Sequence, residues 1–265
     1  MIRGEGLGRV AREVAELARS RRVVVVHGAG PQTTELQKAL GQSPHVVAGR
    51  RITDEAALGA LTMALGAATT ALCAALIGAG ARPIGLSGAS ACTIRAHRRP
   101  PRVVSGGGPD PIDFGFVGDV DGFDHPLLDA LDALGLLPVL ACLGADAGGQ
   151  LYNINADVVA TRLAVALGAT DLFLLTGVSA VLRDLADPTS RIERLSPDQA
   201  RALIRDGVVS GGMIPKLDES LQAVALGVER VHLLSEGLAR AAARPGSVGT
   251  VLEAVDSRQS TVDSS

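Results

Sequence analysis

Asn153, Asn155 and Asp157 fall within five residues, where an extended segment gives way to an Ala/Leu-rich helix. Asn and Asp are favoured at such a junction because their side-chain oxygens accept hydrogen bonds from unpaired N–H groups of the first helical turn. Capping accounts for one of the three residues, or two at most. Three polar groups at the end of a strand also suit the ligand-binding edge of an α/β sheet. Two glycine-rich turns add to this. His27-Gly28-Ala29-Gly30-Pro31 follows the β-branched run Val23 to Val26 and leads into a helix expected over Gln32 to Leu40. Backbone N–H groups at a helix start, with no side chain over them, make an anion site. A glycine turn alone is weak evidence, and a dinucleotide fingerprint would need a third glycine where Thr33 stands. The second turn, Ser210-Gly211-Gly212-Met213-Ile214-Pro215-Lys216, places a lysine at the start of a helix running to about Leu226. The helix dipole favours anions at that end, so a lysine there suggests a charge that faces phosphate. Arg51, just before a long apolar helix, could hold a carboxylate bidentately; a solvated arginine is the plainer alternative.

The elements that must position these groups alternate between strand and helix. A helix is expected over Leu7 to Ser20, with Leu7, Val10, Val14 and Leu17 on one face. Val23 to Val26 reads as a parallel strand buried on both faces. Thr53 or Asp54 would cap the long uncharged helix Ala56 to Ala81. Further strands are expected at Pro83 to Leu86, Pro138 to Ala141, Leu172 to Leu175, Val231 to Leu234 and Thr250 to Val255. Between Cys92 and Val120, short β segments separated by Pro and Gly read as hairpins, with Arg95, His97, Arg98 and Arg99 as a solvated basic loop. Helices are expected at Pro126 to Leu134 and Ala156 to Leu167. Ser196, Pro197 and Gln199 announce another helix through a capping box. Residues from Asp256 onward read as a frayed end. The alternation argues for a mostly parallel, three-layer α/β/α sandwich.

Composition excludes several classes. The chain has 265 residues, 47% hydrophobic and 20% charged, with a net charge of −3, so no basic surplus suggests a nucleic-acid partner. Cys73, Cys92 and Cys142 are far apart and without metal-ligand spacing, and read as reduced core thiols of a cytoplasmic protein. The N-terminus carries no charged-then-apolar leader. Ala56 to Ala81 is long enough to span a bilayer, but small residues build it and no aromatic or basic cluster anchors its ends. A buried helix, or one packed against a partner subunit, fits it better than a membrane span.

Taken in order, the motifs resemble those of the amino acid kinase superfamily, and within it the N-acetylglutamate kinases. These phosphorylate the γ-carboxylate of N-acetyl-L-glutamate with ATP, the second step of arginine biosynthesis. The chain's H-G-A-G-P at His27 to Pro31 is similar to the family's H-G-G-G-P, and Arg51-Ile52-Thr53-Asp54 to its R-V-T-D. Asp113 to Gly118, Tyr152 to Asp157 and Gly211 to Lys216 match further family strings. The resemblance covers nearly everything from His27 to Thr250. It implies the amino acid kinase fold, with residues 1–168 binding the acyl amino acid and forming the dimer, and residues 169–265 binding nucleotide.

Carried over by position, Gly28, Ala29 and Gly30 form the substrate turn, with Ala29 and Gly30 presenting N–H groups to the transferring phosphoryl. Arg51 holds the α-carboxylate, and Asn153 holds another part of the substrate. Asp157 organises the charged groups around the phosphates, and Lys216 stabilises the leaving side. Asn155 is left as a turn or cap residue. Thr176, Gly177, Val178, Ser179, Ala180, Val181 and Leu182, with Val208, Val209, Ser210 and Gly212, line the nucleotide site. Mg²⁺ is held mainly by ATP, with no metal ligand assigned to the protein, and a homodimer forms through the helix Ala56 to Ala81.

The sequence departs from the family pattern at several places. The family's first strand ends in K-x-G-G, whereas this chain reads Met1-Ile2-Arg3-Gly4-Glu5-Gly6, with no lysine before Lys38. Loss of such a preorganised cation is expected to cost about 10²-fold or more in rate, and a reading frame extending upstream would restore it. Ala29 replaces the middle glycine of the first turn and would crowd the backbone if that position needed positive φ. Thr176-Gly177 lacks the family's aspartate, and Ala89-Ser90 replaces its K-D after Gly88. Two further readings fit parts of the chain. One is a kinase acting on aminoadipate or glutamate carried by a small acidic protein. The other is a degenerate kinase that binds ligand or partner without catalysis. The family's arginine-inhibited hexamers use an N-terminal helical extension; none precedes Leu7, so arginine feedback is not expected.

Overall fold

The computed structural model describes residues 5–47, 49–104, 108–184, 186–187, 189–209 and 211–254. Ser210, Val255 and the stretch from Asp256 onward lie outside them. The chain divides into two compact units between Val159 and Ala160.

The first unit opens with α1 (Glu5–Ala18), β1 (Val25–His27) and α2 (Gly30–Ala39), then the small hairpin β2 (Val46–Val47) and β3 (Arg50–Arg51). There follow α3 (Glu55–Gly78), β4 (Pro83–Leu86), β5 (Ile94–Arg98), β6 (Gly118–Phe123), α4 (His125–Ala133), β7 (Leu137–Ala141), β8 (Leu143–Ala145) and β9 (Leu151–Asn153). α5 (Ala156–Ala166) crosses the division.

A parallel sheet in the order β1-β7-β4 forms the floor of this unit. Its middle strand is apolar throughout, and all five residues are buried, as expected of a parallel strand covered on both faces. β1 departs from the sequence expectation. It is shifted toward His27, and Val23 to Val26 are only half-buried, because β1 sits at the edge of the sheet rather than inside it. A second sheet, β6-β5-β8-β9, is mostly antiparallel. It holds Asn153 opposite Leu143.

α3 starts where Asp54 accepts a hydrogen bond from the Ala57 N–H at 2.8 Å. Ala57, Ala60, Leu61, Ala64, Leu65, Leu72 and Leu76 bury one face. The opposite face is solvent-exposed and consists of small residues with Met63 and Ile77. By length and composition alone α3 could cross a membrane; here its buried stripe packs on β4 and β7. Of the three thiols only Cys142 is a core residue, whereas Cys73 and Cys92 are partly exposed.

The second unit contains β10 (Asp171–Leu175), β11 (Arg194–Leu195), α6 (Pro197–Arg205), α7 (Met213–Ala225), β12 (Arg230–Leu234), α8 (Leu238–Ala243) and β13 (Thr250–Glu253). Its sheet runs β10-β12-β13-β11, with β12 and β13 antiparallel and the other pairs parallel. The α6 capping box is present in full: Ser196 Oγ accepts from Gln199 N, and Gln199 Oε1 accepts from Ser196 N. Val181, Val209, Leu217, Leu233 and Leu252 share one core.

Candidate active site

The first glycine turn lies between the end of β1 and α2. A Cβ at Gly28 would stand 3.3 Å from Ala156 Cβ and 3.6 Å from Cys142 Sγ. Glycine therefore lets the turn lie against the start of α5, where Asp157 occupies the first turn. Ala29 has φ −139°, an ordinary conformation for an L residue, and its side chain is buried. The crowding expected from alanine does not arise, because this position needs no positive φ. A Cβ at Gly30 would meet nothing within 4 Å, and no side chain caps α2. Its first N–H groups are thus presented beside open space, as an anion site requires. His27 Nε2 lies 2.9 Å from Thr69 Oγ1 on α3. Burial lowers the His27 pKa, a hydrogen bond with the Gly28 backbone partly offsetting it. Burial pushes the Cys142 thiol up to about 12, so it stays neutral beneath the turn.

Arg51 reaches from the β2–β3 hairpin to α2. Its Nη1 donates to Gln37 Oε1. Its Nη2 donates to Thr34 Oγ1 at 2.6 Å and to the Gly30 carbonyl at 3.2 Å. All three acceptors are neutral. Partial burial lowers the Arg51 pKa.

Asn153 lies close by in the chain fold. Its Nδ2 donates to Thr53 Oγ1 at 3.0 Å, and Thr53 is wholly buried. Thr53 N donates to Phe114 O at 2.9 Å, Phe116 N to Thr53 O at 2.7 Å, and Asn153 N to Phe116 O at 2.8 Å. Gly115, at φ +72°, would place a Cβ 2.4 Å from Thr53 O, so only glycine fits. Three separate sequence motifs therefore meet at Thr53, which sequence reasoning treated as a candidate helix cap. Asp54 is the cap instead. Asn155 caps α5 through Oδ1, which accepts from Asp157 N at 2.8 Å.

In the second unit, Gly177, Val178 and Ser179 form an exposed loop after β10. Thr176 is buried beneath it; its hydroxyl bonds the Val178 carbonyl, and Val178 N donates back to Thr176 Oγ1 at 3.2 Å. Ala180 and Val181 are core residues, as is Val209, so only their main chain could face a nucleotide. Leu182 pairs with Arg191 in an isolated bridge, and Val208 is half-buried. Cβ atoms at Gly177, Gly211 and Gly212 would each meet nothing within 4 Å. Lys216 lies in the first turn of α7, next to Leu217 of the core. Main-chain groups beside open space and a lysine at a helix start form a donor set suited to phosphate.

The basic cluster lies on β5 and just after it rather than in a loop; Arg95, His97 and Arg98 are solvent-exposed, as expected, whereas Arg99 is largely covered. His97 pairs with Asp121 at 2.7 Å, Arg98 with Asp113 at 2.8 Å and Arg99 with Asp119 at 2.6 Å, all across the β5–β6 region. The turn before it, where Ala89 and Ser90 replace the family's K-D, is closed by Ser90 Oγ accepting from Ser87 N at 3.1 Å. Ala91 and Cys92 there hold positive φ, 51° and 54°.

Sequence reasoning also missed Thr34 and Gln37. The signal available was position: Thr33 and Gln37, four residues apart, occupy the buried stripe of α2. A polar pair on that stripe calls for partners.

The fold defines an α/β protein with a glycine turn ahead of a helix in each unit. The chain belongs to the amino acid kinase family, whose pattern matches residues 2–235. It is similar to acetylglutamate kinase of Sorangium cellulosum, with 52% identity over 258 residues covering 95% of this chain and 91% of that protein. It is 48% identical to acetylglutamate kinase of Anaeromyxobacter dehalogenans strain 2CP-C, with 96% of each chain covered. Among solved structures, smu.665 from Streptococcus mutans superposes with a TM-score of 0.76 at 26% identity, over 96% of this chain and 94% of that one. N-acetylglutamate synthase from Neisseria gonorrhoeae, complexed with coenzyme A and N-acetyl-glutamate, gives a TM-score of 0.79 at 26% identity. This chain is covered over 95% of its length in that comparison and spans 57% of the synthase.

Proposed function

We propose that this chain is an acetylglutamate kinase, which phosphorylates the γ-carboxylate of N-acetyl-L-glutamate in arginine biosynthesis. The observation that carries this reading is the 52% identity to the Sorangium enzyme across nearly the full length of both chains.

In this reading MgATP supplies the phosphoryl group, with Mg²⁺ held mainly by the nucleotide's phosphates. A carboxylate oxygen of the substrate bonds to the γ-phosphorus as the bond to ADP breaks. The substrate carboxylate is already ionised, so no general base is needed, and the protein's work is positioning and charge neutralisation. Arg51 holds the α-carboxylate with a positive charge that no carboxylate among the described residues cancels. Asn153, held by Thr53, contacts the same substrate. N–H groups at Ala29 and Gly30 face the transferring phosphoryl. Lys216 neutralises charge on the leaving side, and Asp157 orients the cations around the phosphates. Main-chain groups of 176–182 and 208–212 line the nucleotide. The N-terminal lobe, 1–168, binds the acyl amino acid, and 169–265 binds nucleotide. The exposed small-residue face of α3 forms a homodimer, and the enzyme is cytoplasmic, away from membrane and nucleic acid.

ADP release coupled to a dehydrogenase readout, with N-acetylglutamate and MgATP, tests the reading on this chain. We expect turnover that requires N-acetylglutamate. Binding of either ligand without turnover would replace this reading with that of a catalytically degenerate homologue. Turnover only with an acyl amino acid on a carrier protein would point to the other kinase class.

A further inference from the structure

Gln37 lies outside the motifs that carry the family resemblance, yet it is 3% exposed on α2, the helix that packs against α3. A buried primary amide costs stability unless it is hydrogen-bonded, and an apolar side chain of similar size would fill the same space without that cost. Its partner accounts for its presence: Gln37 Oε1 accepts from Arg51 Nη1. The other guanidinium nitrogen is held by Thr34 Oγ1 and the Gly30 carbonyl. A glutamate at position 37 would hold the arginine at least as firmly, but it would cancel its charge. Glutamine fixes the direction and leaves the charge intact.

We infer that Gln37 is a positioning residue that aims Arg51 at the α-carboxylate of the acyl amino acid, with Thr34 steadying the other nitrogen. The inference rests on the substrate role given to Arg51 above. A guanidinium carries five N–H groups. The three bonds to Gln37, Thr34 and Gly30 leave two for ligand, Nε–H and the second hydrogen on Nη1. A bidentate grip through Nη1 and Nη2 therefore exchanges the longest of the three, the 3.2 Å contact to Gly30, while Gln37 keeps hold of Nη1. Substrate arrival would thus leave the Gly30 carbonyl to the Thr34 hydroxyl, which already donates to it at 3.1 Å.

The test compares Gln37→Leu, Gln37→Glu, Arg51→Ala and the double variant Arg51→Ala/Gln37→Leu by KM for each substrate, kcat and thermal unfolding. Gln37→Leu should raise KM for N-acetylglutamate about tenfold, leaving kcat and the KM for ATP within about twofold. Gln37→Glu should raise it further, because its carboxylate pairs with Arg51. The double variant should bind no worse than Arg51→Ala alone. If Gln37→Leu fails to fold, Gln37→Met carries the same comparison. A normal KM in Gln37→Leu, or additive losses in the double variant, overturns the inference. An unchanged KM in Arg51→Ala overturns the role of Arg51 itself, and the inference with it.

Discussion

Arg51 and Arg230 are both held by several hydrogen bonds inside their own units, but by opposite kinds of partner. Arg230 Nε and Nη2 grip Asp171 at 2.7 and 3.1 Å. Asp171 also lies 2.8 Å from Nε2 of His232, a fully buried ring stacked on Phe173 with centroids 4.5 Å apart. The Asp171 hydrogen bond raises the Arg230 pKa, whereas burial lowers that of Arg51. Among the described residues no carboxylate pairs with Arg51. An arginine that braces a sheet is neutralised where it stands. Arg51, oriented by neutral acceptors, keeps its charge, which suits the anion-binding role proposed for it.

The largest expected effect lies on the structural side of this comparison. Asp171→Ala leaves Arg230 and His232 without their shared acid, and unfolding should cost about 3–5 kcal/mol less, while both KM values hold. A smaller effect should follow from Asn153→Ala, with KM for N-acetylglutamate up about tenfold and stability lower by about 1 kcal/mol, since the buried Thr53 hydroxyl loses its partner.

The pH dependence separates the two sites further. Burial alone would raise the Asp171 pKa, but hydrogen bonds from His232 and Arg230, with their charges, hold it well below the usual carboxylate range. A depressed acid stabilises the fold above its unfolded pKa of about 4 and loses that contribution as pH falls toward the folded value. The stability gap between the parent protein and Asp171→Asn should therefore be full at pH 7 and shrink below about pH 4. Urea unfolding at both pH values checks this; a gap that grows on acidification would refute it.

Local features were legible in the sequence. β4 and the α6 capping box follow from nearest-neighbour chemistry, and both are found where residue types put them. What depended on tertiary contact was not legible. β8 and β11 are short strands that exist only through their partners. The half-burial of Val23 to Val26 follows from β1 standing at an edge. The motif strings located the 176–182 and 208–212 segments, but only the packing identifies Ala180, Val181 and Val209 as core. Thr53, Thr34 and Gln37 were missed because a hydroxyl or amide reads as surface or cap until its partner is seen.

The smallest effect concerns the Ala91-Cys92 turn, both of whose residues hold positive φ. Ala91→Gly relieves one of them and should stabilise by about 0.5–1 kcal/mol, seen as a small rise in Tm without a change in either KM.

The central claim is that Arg51 keeps its charge for the substrate while Arg230 uses its own to hold the fold. Calorimetric titration of N-acetylglutamate into Arg51→Gln, with thermal unfolding measured on the same sample, tests it most directly. We expect affinity to fall about 100-fold while Tm stays within about 3 °C of the parent. A Tm collapse with affinity preserved in the folded fraction would contradict it and return Arg51 to the same structural class as Arg230.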